Sequence, residues 1–159
     1  MNKTYLLLGS NMGDSQLQLS RAIKYISKEV GTVIRQSKLY TTAAWGNTNQ
    51  PDFLNQVIIV ETALTPKNSI QTILGIEEKM GRVRTVKNAP RMIDIDILYF
   101  NKEIIDSKLL IVPHPEIQNR RFVLIPLNEL SPNFVHPLIG KSNHQLLADC
   151  TDELNVKKF

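Results

Sequence analysis

Two carboxylates stand inside an otherwise apolar stretch, Ala89 to Phe100, which reads APRMIDIDILYF. Side chains alternate across a strand, so Ile93, Ile95 and Ile97 point one way and Asp94 and Asp96 the other. The isoleucines claim the core. The aspartates then share the opposite face, roughly 7 Å apart along the backbone, where their repulsion and desolvation must be offset by positive charge. One source is the preceding loop, with Arg82, Arg84, Lys87 and Arg91 close by in sequence. Another is a hard cation, because Mg²⁺ takes one or two protein carboxylates and completes its shell with water and phosphate oxygens. Two such ions about 3.5 to 4 Å apart could share both aspartates and clamp a polyphosphate. Arginines nearby would then bind the uncovered phosphate oxygens in bidentate fashion. Carboxylates, metal and arginines together describe a nucleoside triphosphate site; a salt-bridged strand beside a solvated loop is the alternative that spacing alone leaves open.

The elements that must hold these residues follow from periodicity. TYLLLG (Thr4 to Gly9) reads as a buried strand ended by the turn-forming GSNMGD, with Asp14 or Ser15 capping a helix. Leu19, Ala22, Ile23, Ile26 and Val30 recur at helical spacing up to Gly31. A second strand is expected from about Thr32 to Tyr40, and a third over Phe53 to Leu64. The polar segment between them, TTAAWGNTNQPD, is long for a hairpin and is a candidate binding loop. Thr65 and Pro66 open a second helix, which carries Ile70, Ile73, Leu74, Glu77 and Met80 on one face and stops at Gly81. With the aspartate strand the order becomes βαββαβ, which predicts an α+β, ferredoxin-like core: an antiparallel sheet with both helices on one face. Beyond it we expect an extension of short strands and helices. A hairpin would turn at Asn101 and Lys102, a strand would break at Pro113, and helices would form over NRRFVLIPLNEL and NHQLLADC.

Composition narrows the function classes. At 159 residues, 42% hydrophobic and 21% charged, the chain fits one compact domain over 1–159. No apolar run is long enough to span a bilayer, and no leader pattern opens the chain. The single Cys150 has no intramolecular disulfide partner and no zinc-ligand neighbours, which fits a reducing cytoplasm. A net charge of +4 favours anionic partners without separating nucleotide from nucleic acid. No GxxxxGK[ST] sequence occurs, so ATP must be held without a P-loop. GSN by itself reads as a tight turn with a helix cap.

Several segments taken together resemble one family. LLLGSNMGD, QPDFLNQV, IEEKMGRVR, APRMIDIDIL and VPHPEIQNRRFVLIPLNEL look like the successive motifs of 6-hydroxymethyl-7,8-dihydropterin pyrophosphokinase, in the right order from about Tyr5 to Pro132. The resemblance implies a folate-pathway enzyme that transfers the terminal diphosphate of ATP to the hydroxymethyl group of a reduced pterin and releases AMP. It also implies two Mg²⁺ ions held by Asp94 and Asp96, and a mobile basic loop carrying Arg82 and Arg84. Arg91 is the arginine before the aspartate strand, and these three arginines with the two aspartates form the implied catalytic set. Glu77, Ile97, His114 and Arg120 are matched ATP-site positions, together with Arg82, Arg84 and Arg91. For 6-hydroxymethyl-7,8-dihydropterin the matched positions are the amide Asn55 and the rings Phe53 and Phe122, with Thr42, Ala43 and Trp45 from the long loop.

Two departures from that pattern stand out. Many members carry a tryptophan just before the arginine-led aspartate strand, where this chain has the shorter KNAPR, so Trp45 is expected to supply part of the pterin cover. Leu74 stands where some members have a glutamine near ATP. Without the resemblance, Phe53 and Phe122 read as core residues, His114 between two prolines as structural, and Glu77 as an exposed or capping charge. The competing classes are an RNA-binding module of the same βαββαβ order, which would want stacking aromatics in its central strands, and a metal-dependent nuclease, which would want a third carboxylate. FLNQVIIVETAL has only one terminal aromatic. We therefore expect a monomer acting on small molecules, with neither nucleic acid nor membrane as partner.

Overall fold

The computed structural model describes residues 1–44, 49–82 and 91–159. In chain order the elements are β1 (Asn2–Ser10), α1 (Ser15–Glu29), β2 (Thr32–Gln36), β3 (Tyr40–Thr42), β4 (Phe53–Thr62), α2 (Pro66–Lys79) and β5 (Asp94–Phe100). The remainder comprises β6 (Ile105–Asp106), β7 (Ile111–Val112), a 3₁₀ turn at Ile117–Asn119, α3 (Arg121–Leu130), α4 (Asn143–Asp149) and β8 (Val156–Lys158). One antiparallel sheet runs β5-β1-β4-β3-β8, with β2 also paired to β4; β6 and β7 form a separate small ribbon.

The helix starts are those the sequence encodes. Asp14 accepts the Leu17 N–H and Thr65 the Asn68 N–H, each satisfying a first-turn amide that the helix itself leaves open. The second strand differs from expectation, because it is broken into β2 and β3. Ser37 donates its N–H to the Val57 carbonyl at 2.8 Å, but its Oγ accepts the Val57 N–H at 3.0 Å, where a backbone carbonyl would continue the ladder. The hydroxyl thereby releases the main chain from the sheet for Ser37 to Leu39. The expected hairpin after Phe100 also differs. Asn101 does turn the chain, at φ 50°, but it pairs back to β1 through Asn101 N–H to Lys3 O and Lys3 N–H to its own Oδ1. The strand beyond the turn finds β7 instead of β5.

Two apolar layers sandwich the sheet. Leu6 and Leu8 of β1, Ile58 and Val60 of β4, and Ile95 and Ile97 of β5 pack against both α1 and α2. Tyr5, Leu7, Val57, Ile59, Leu98 and Tyr99 pack on the other face, against α3 and α4. Leu98 and Tyr99 are consecutive yet share a face, because the β1–β5 register slips between Tyr5 and Leu6, a bulge that resets the alternation. Each fully buried Ile or Leu contributes roughly 2 kcal/mol, so the Ile95 and Ile97 side fixes the phase of β5 and obliges Asp94 and Asp96 to face α3.

The helical cover on that second face is incomplete. Leu7 lies opposite Val57 and Asp96, and in the next pair of rows Gly9 lies opposite Asn55 and Asp94. The Asp94–Gly9–Asn55 row sits past the start of α3, and a cleft opens there. The loop joining α3 to α4 is fastened by His136, only 2% exposed, whose Nδ1 accepts N–H groups from Leu138 at 3.2 Å and Ile139 at 3.0 Å.

Candidate active site

The cleft is lined by Leu7, Gly9, Thr42, Ala43, Phe53, Asn55, Arg91, Asp94, Asp96, Arg120 and Phe122. Most of the side chains arrive there by strand alternation. Phe53 and Asn55 come from β4, the aspartates from β5, and Phe122 from the first turn of α3. Asn55 is 3% exposed, and its Nδ2 has no hydrogen-bond partner among the described residues. A buried amide donor aimed into a cavity asks for an acceptor on a ligand. Gly9 leaves the space for it: a Cβ at this position would lie 3.3 Å from Asn55 Oδ1 and 3.6 Å from Phe53 Cδ1. The Arg120 guanidinium lies 5.8 Å from the centre of the Phe122 ring.

A second, more open cleft lies along the outer edge of β5. Ile70, Ile95, Asp96, Ile97, Ser107 to Ile111, His114 and Pro115 line it. Asp96 therefore belongs to both clefts. His114 donates its backbone N–H to the Leu98 carbonyl at 2.9 Å and accepts the Glu116 N–H on Nδ1 at 3.1 Å. With Nδ1 used as an acceptor, the neutral ring carries its proton on Nε2. Burial, then the charge of Arg120, lowers the His114 pKa below its ordinary value and favours this neutral tautomer.

Between the clefts the charges are tightly packed. Arg82 Nη1 lies 2.6 Å from Glu77 Oε2 and 2.6 Å from Asp94 Oδ1, and Arg91 Nη1 lies 3.1 Å from Asp94 Oδ2. Burial alone would lower the Arg82 pKa, but the carboxylates of Asp94 and Glu77 outweigh it and raise the value. Glu77 is 1% exposed and also accepts the Ile95 N–H at 2.8 Å, so it anchors both Arg82 and the start of β5. Asp96 has no ion-pair partner among the described residues. Burial first, then the charges of Asp94 and Glu77, push its carboxyl well above the ordinary carboxylate range, against the opposing pull of Arg82 and Arg120. Two carboxylates competing for too little positive charge form a hard-oxygen donor pair that suits Mg²⁺. Among the described residues no cluster of three acidic, histidine or cysteine side chains occurs, so the rest of a metal's shell falls to water and ligand.

Of the residues picked from the sequence, the structure gathers Thr42, Ala43, Phe53, Asn55, Arg91, Asp94, Asp96, Arg120 and Phe122 in the first cleft. Ile97 and His114 line the second with Asp96. Glu77 and Arg82 sit at the junction through their bonds to Ile95 and Asp94. Trp45 and Arg84, with Lys87 and the KNAP segment, lie outside the described residues. Leu74 packs against the α1–α2 core.

Sequence reasoning passed over Leu7, Gly9 and Asn11. Asn11 Oδ1 accepts the Arg91 N–H at 2.8 Å, while its Nδ2 donates to Gln50 Oε1 at 2.8 Å and the Pro51 carbonyl at 3.2 Å. It fastens the approach to β5 to the approach to β4. A Gly-Ser-Asn run ending a strand gives a turn signal, and nothing in that signal announces its partners.

Paired carboxylates and arginines at the meeting of two clefts, on an antiparallel α/β scaffold, have the build of a phosphotransferase. Comparison with known proteins makes the class particular. Residues 5–132 match the family model described as 7,8-dihydro-6-hydroxymethylpterin-pyrophosphokinase (HPPK). A 2-amino-4-hydroxy-6-hydroxymethyldihydropteridine pyrophosphokinase of Aquifex aeolicus is 41% identical over 159 residues, covering 100% of this chain and 96% of the relative. A protein of the same name from Methylorubrum extorquens is 39% identical over 149 residues, covering 93% of each. The folic acid synthesis protein fol1 of Schizosaccharomyces pombe is 40% identical over 94% of this chain, which spans only 20% of that larger protein. Among solved structures, the Plasmodium falciparum HPPK-DHPS triple mutant has a similar fold, with TM-score 0.77 and 18% identity over 92% of this chain and 43% of that one. The chain belongs to the 7,8-dihydro-6-hydroxymethylpterin-pyrophosphokinase family, ATP-dependent diphosphotransferases of folate biosynthesis.

Proposed function

We propose that the chain transfers the terminal diphosphate of ATP to the hydroxymethyl oxygen of 6-hydroxymethyl-7,8-dihydropterin and releases AMP. The observation that carries this reading is the position of Asp96, which lines both clefts and so stands between two separate ligands. The first cleft suits a flat heterocycle: Phe53 and Phe122 offer ring faces, and the unpartnered Asn55 amide can read a polar edge. The second, apolar along Ile70, Ile97 and Leu110, suits a purine, with His114 Nε2–H and, from the lining of the first cleft, Arg120 as its phosphate contacts.

Asp94 and Asp96 would hold two Mg²⁺ ions, which when bound neutralise polyphosphate charge and lower the pKa of the attacking hydroxyl. The chain's own part is alignment. Phosphoryl-type transfer needs little covalent help, so no nucleophilic side chain is required. Arg82 and Arg91, bound to Asp94 in the described arrangement, exchange that carboxylate for phosphate oxygens as nucleotide and metal enter. Arg84 would add to these phosphate contacts and Trp45 would supply part of the pterin cover, both from outside the described residues. Glu77 serves the ATP site by holding Arg82 in reach.

The sheet order β5-β1-β4-β3, with α1 and α2 on one face, supports a ferredoxin-like layout for the core. We read 1–159 as one domain, working as a cytoplasmic monomer on small molecules. An RNA-binding role is disfavoured because the sheet face that would stack bases is covered: Tyr5 and Tyr99 are 4% and 0% exposed beneath α3 and α4.

Incubation with ATP, Mg²⁺ and 6-hydroxymethyl-7,8-dihydropterin tests the assignment through the nucleotide product. Pterin-dependent AMP is expected. ADP, or the absence of pterin-dependent turnover, refutes it.

A further inference from the structure

Helix α3 starts without a cap of its own. Its capping residue, Arg120, makes no side-chain bond to the first turn, whereas α1, α2 and α4 are capped locally by Asp14, Thr65 and Ser142. The acceptor comes from far along the chain. Asp152 Oδ2 accepts the Arg121 N–H at 3.0 Å across 31 residues, and its Oδ1 accepts the Leu154 N–H at 2.9 Å. The segment then crosses to the other side of the cleft. Thr42 Oγ1 donates to the Asn155 carbonyl at 3.3 Å, and Val156, Lys157 and Lys158 ladder with Thr42, Thr41 and Tyr40. Phe159 N–H closes the pairing on the Leu39 carbonyl at 2.9 Å.

One run of chain therefore grips two walls. On one side it holds the amide between Arg120 and Phe122, and on the other the strand that ends at Thr42, just before Ala43; all four of those residues line the first cleft. Leu154 and Val156 also pack against the α3–α4 core, which stiffens the crossing. The residues of the second cleft have no such tie. His114 is held by Leu98 and Glu116, and Ser107 by Leu110, all within the β5–β7 region. The segment lies outside the part of the chain that the family model matches.

We propose that Asp152–Lys158 is a brace that sets the spacing of the heterocycle cleft, with Asp152 as its positioning residue. The inference rests on the reading of that cleft as the pterin site. A carboxylate can serve Arg121 and Leu154 with separate oxygens, but an amide has only one oxygen, so Asp152→Asn keeps the shape and loses one tie, and Asp152→Ala loses both.

Calorimetric titration of the full-length variants tests the brace, using 6-hydroxymethyl-7,8-dihydropterin with Mg²⁺ and a non-hydrolysable ATP analogue, and the analogue alone in parallel. Asp152→Ala should weaken pterin binding about fivefold or more, with Asp152→Asn between it and the parent, since a lost cap loosens the helix start that carries Phe122. The analogue's affinity should fall by no more than about twofold in both, through Arg120 alone, since His114 and Arg82 lie off the brace. A stability role alone would shift both ligands together or neither, and that result overturns the proposal. Should Asp152→Ala fail to fold, Asp152→Asn decides, and an unchanged pterin affinity in it is fatal. A parent protein that binds the nucleotide analogue but no pterin breaks the functional reading itself, and the brace with it.

Discussion

Asn55→Leu should move affinity and stability in opposite directions. The side chain is 3% exposed, its Nδ2 has no partner among the described residues, and its strand position is fixed by pairing with Gly9 on one side and Tyr40 on the other. Leucine has nearly the same size and cannot hydrogen-bond. In the ligand complex the change leaves the pterin's polar edge unpaired in a desolvated cleft, at about 1–3 kcal/mol for each bond lost. Two such bonds at the lower half of that range give about 3 kcal/mol, or roughly 150-fold weaker binding. In the free protein the buried unpaired amide is itself a cost of about 1–3 kcal/mol, and leucine removes it. The unfolding midpoint should then hold or rise, by about 2–4 °C for each kcal/mol gained. Calorimetry for the pterin and a thermal melt without ligand read the two quantities separately. A pterin affinity within about threefold of the parent, or a melt lowered by several degrees, would refute this role and make Asn55 a structural amide.

Asp94→Asn and Asp96→Asn should each cut Mg²⁺-dependent turnover by about 10³-fold or more, read by steady-state assays across a Mg²⁺ titration; the melt should hold or rise in Asp96→Asn, which removes a repelling carboxylate, and fall in Asp94→Asn, which releases Arg82 and Arg91. Gly9→Ala places a methyl 3.3 Å from Asn55 Oδ1 and should raise the pterin KM about fivefold, roughly 1 kcal/mol of overpacking, with the ATP KM steady. His136 has a pKa lowered from 6.5, by burial. Its contribution is therefore complete above pH 6.5 and declines as the pH falls below that value, when the unfolded chain takes up the proton first. Urea midpoints between pH 7.5 and 5.5 should show a loss with a limiting slope of about 1.4 kcal/mol per pH unit from this group, and His136→Gln should flatten that slope.

Much of the site was legible because its logic is local. Alternation placed Asp94 and Asp96 opposite Ile95 and Ile97 without reference to anything distant, and the caps of α1 and α2 lie beside the helices they serve. What escaped depends on partners far along the chain. Val156 to Lys158 is too short and polar to announce a strand, and becomes one only because β3 offers an edge. Ser37 interrupts the second strand through its bond to Val57, and Leu98 bulges because Tyr99 must join the α3 layer. Glu77 reads as an exposed charge until its bonds to Ile95 and Arg82 explain why it is buried. Gly9 is a turn signal in one dimension and an opening beside Asn55 in three.

The incomplete cover on the second face of the sheet has a consequence for anyone who would harden this enzyme. Asn55 and Asp96 occupy the same face as Val57, Leu7 and Leu98, so the cleft is a stretch of interior that α3 stops short of closing. Selection for heat resistance alone will be drawn to it, because filling it with apolar side chains continues a core that is already built. The variants such a search ranks highest will then include inactive ones, and every round needs a turnover screen beside the thermal one.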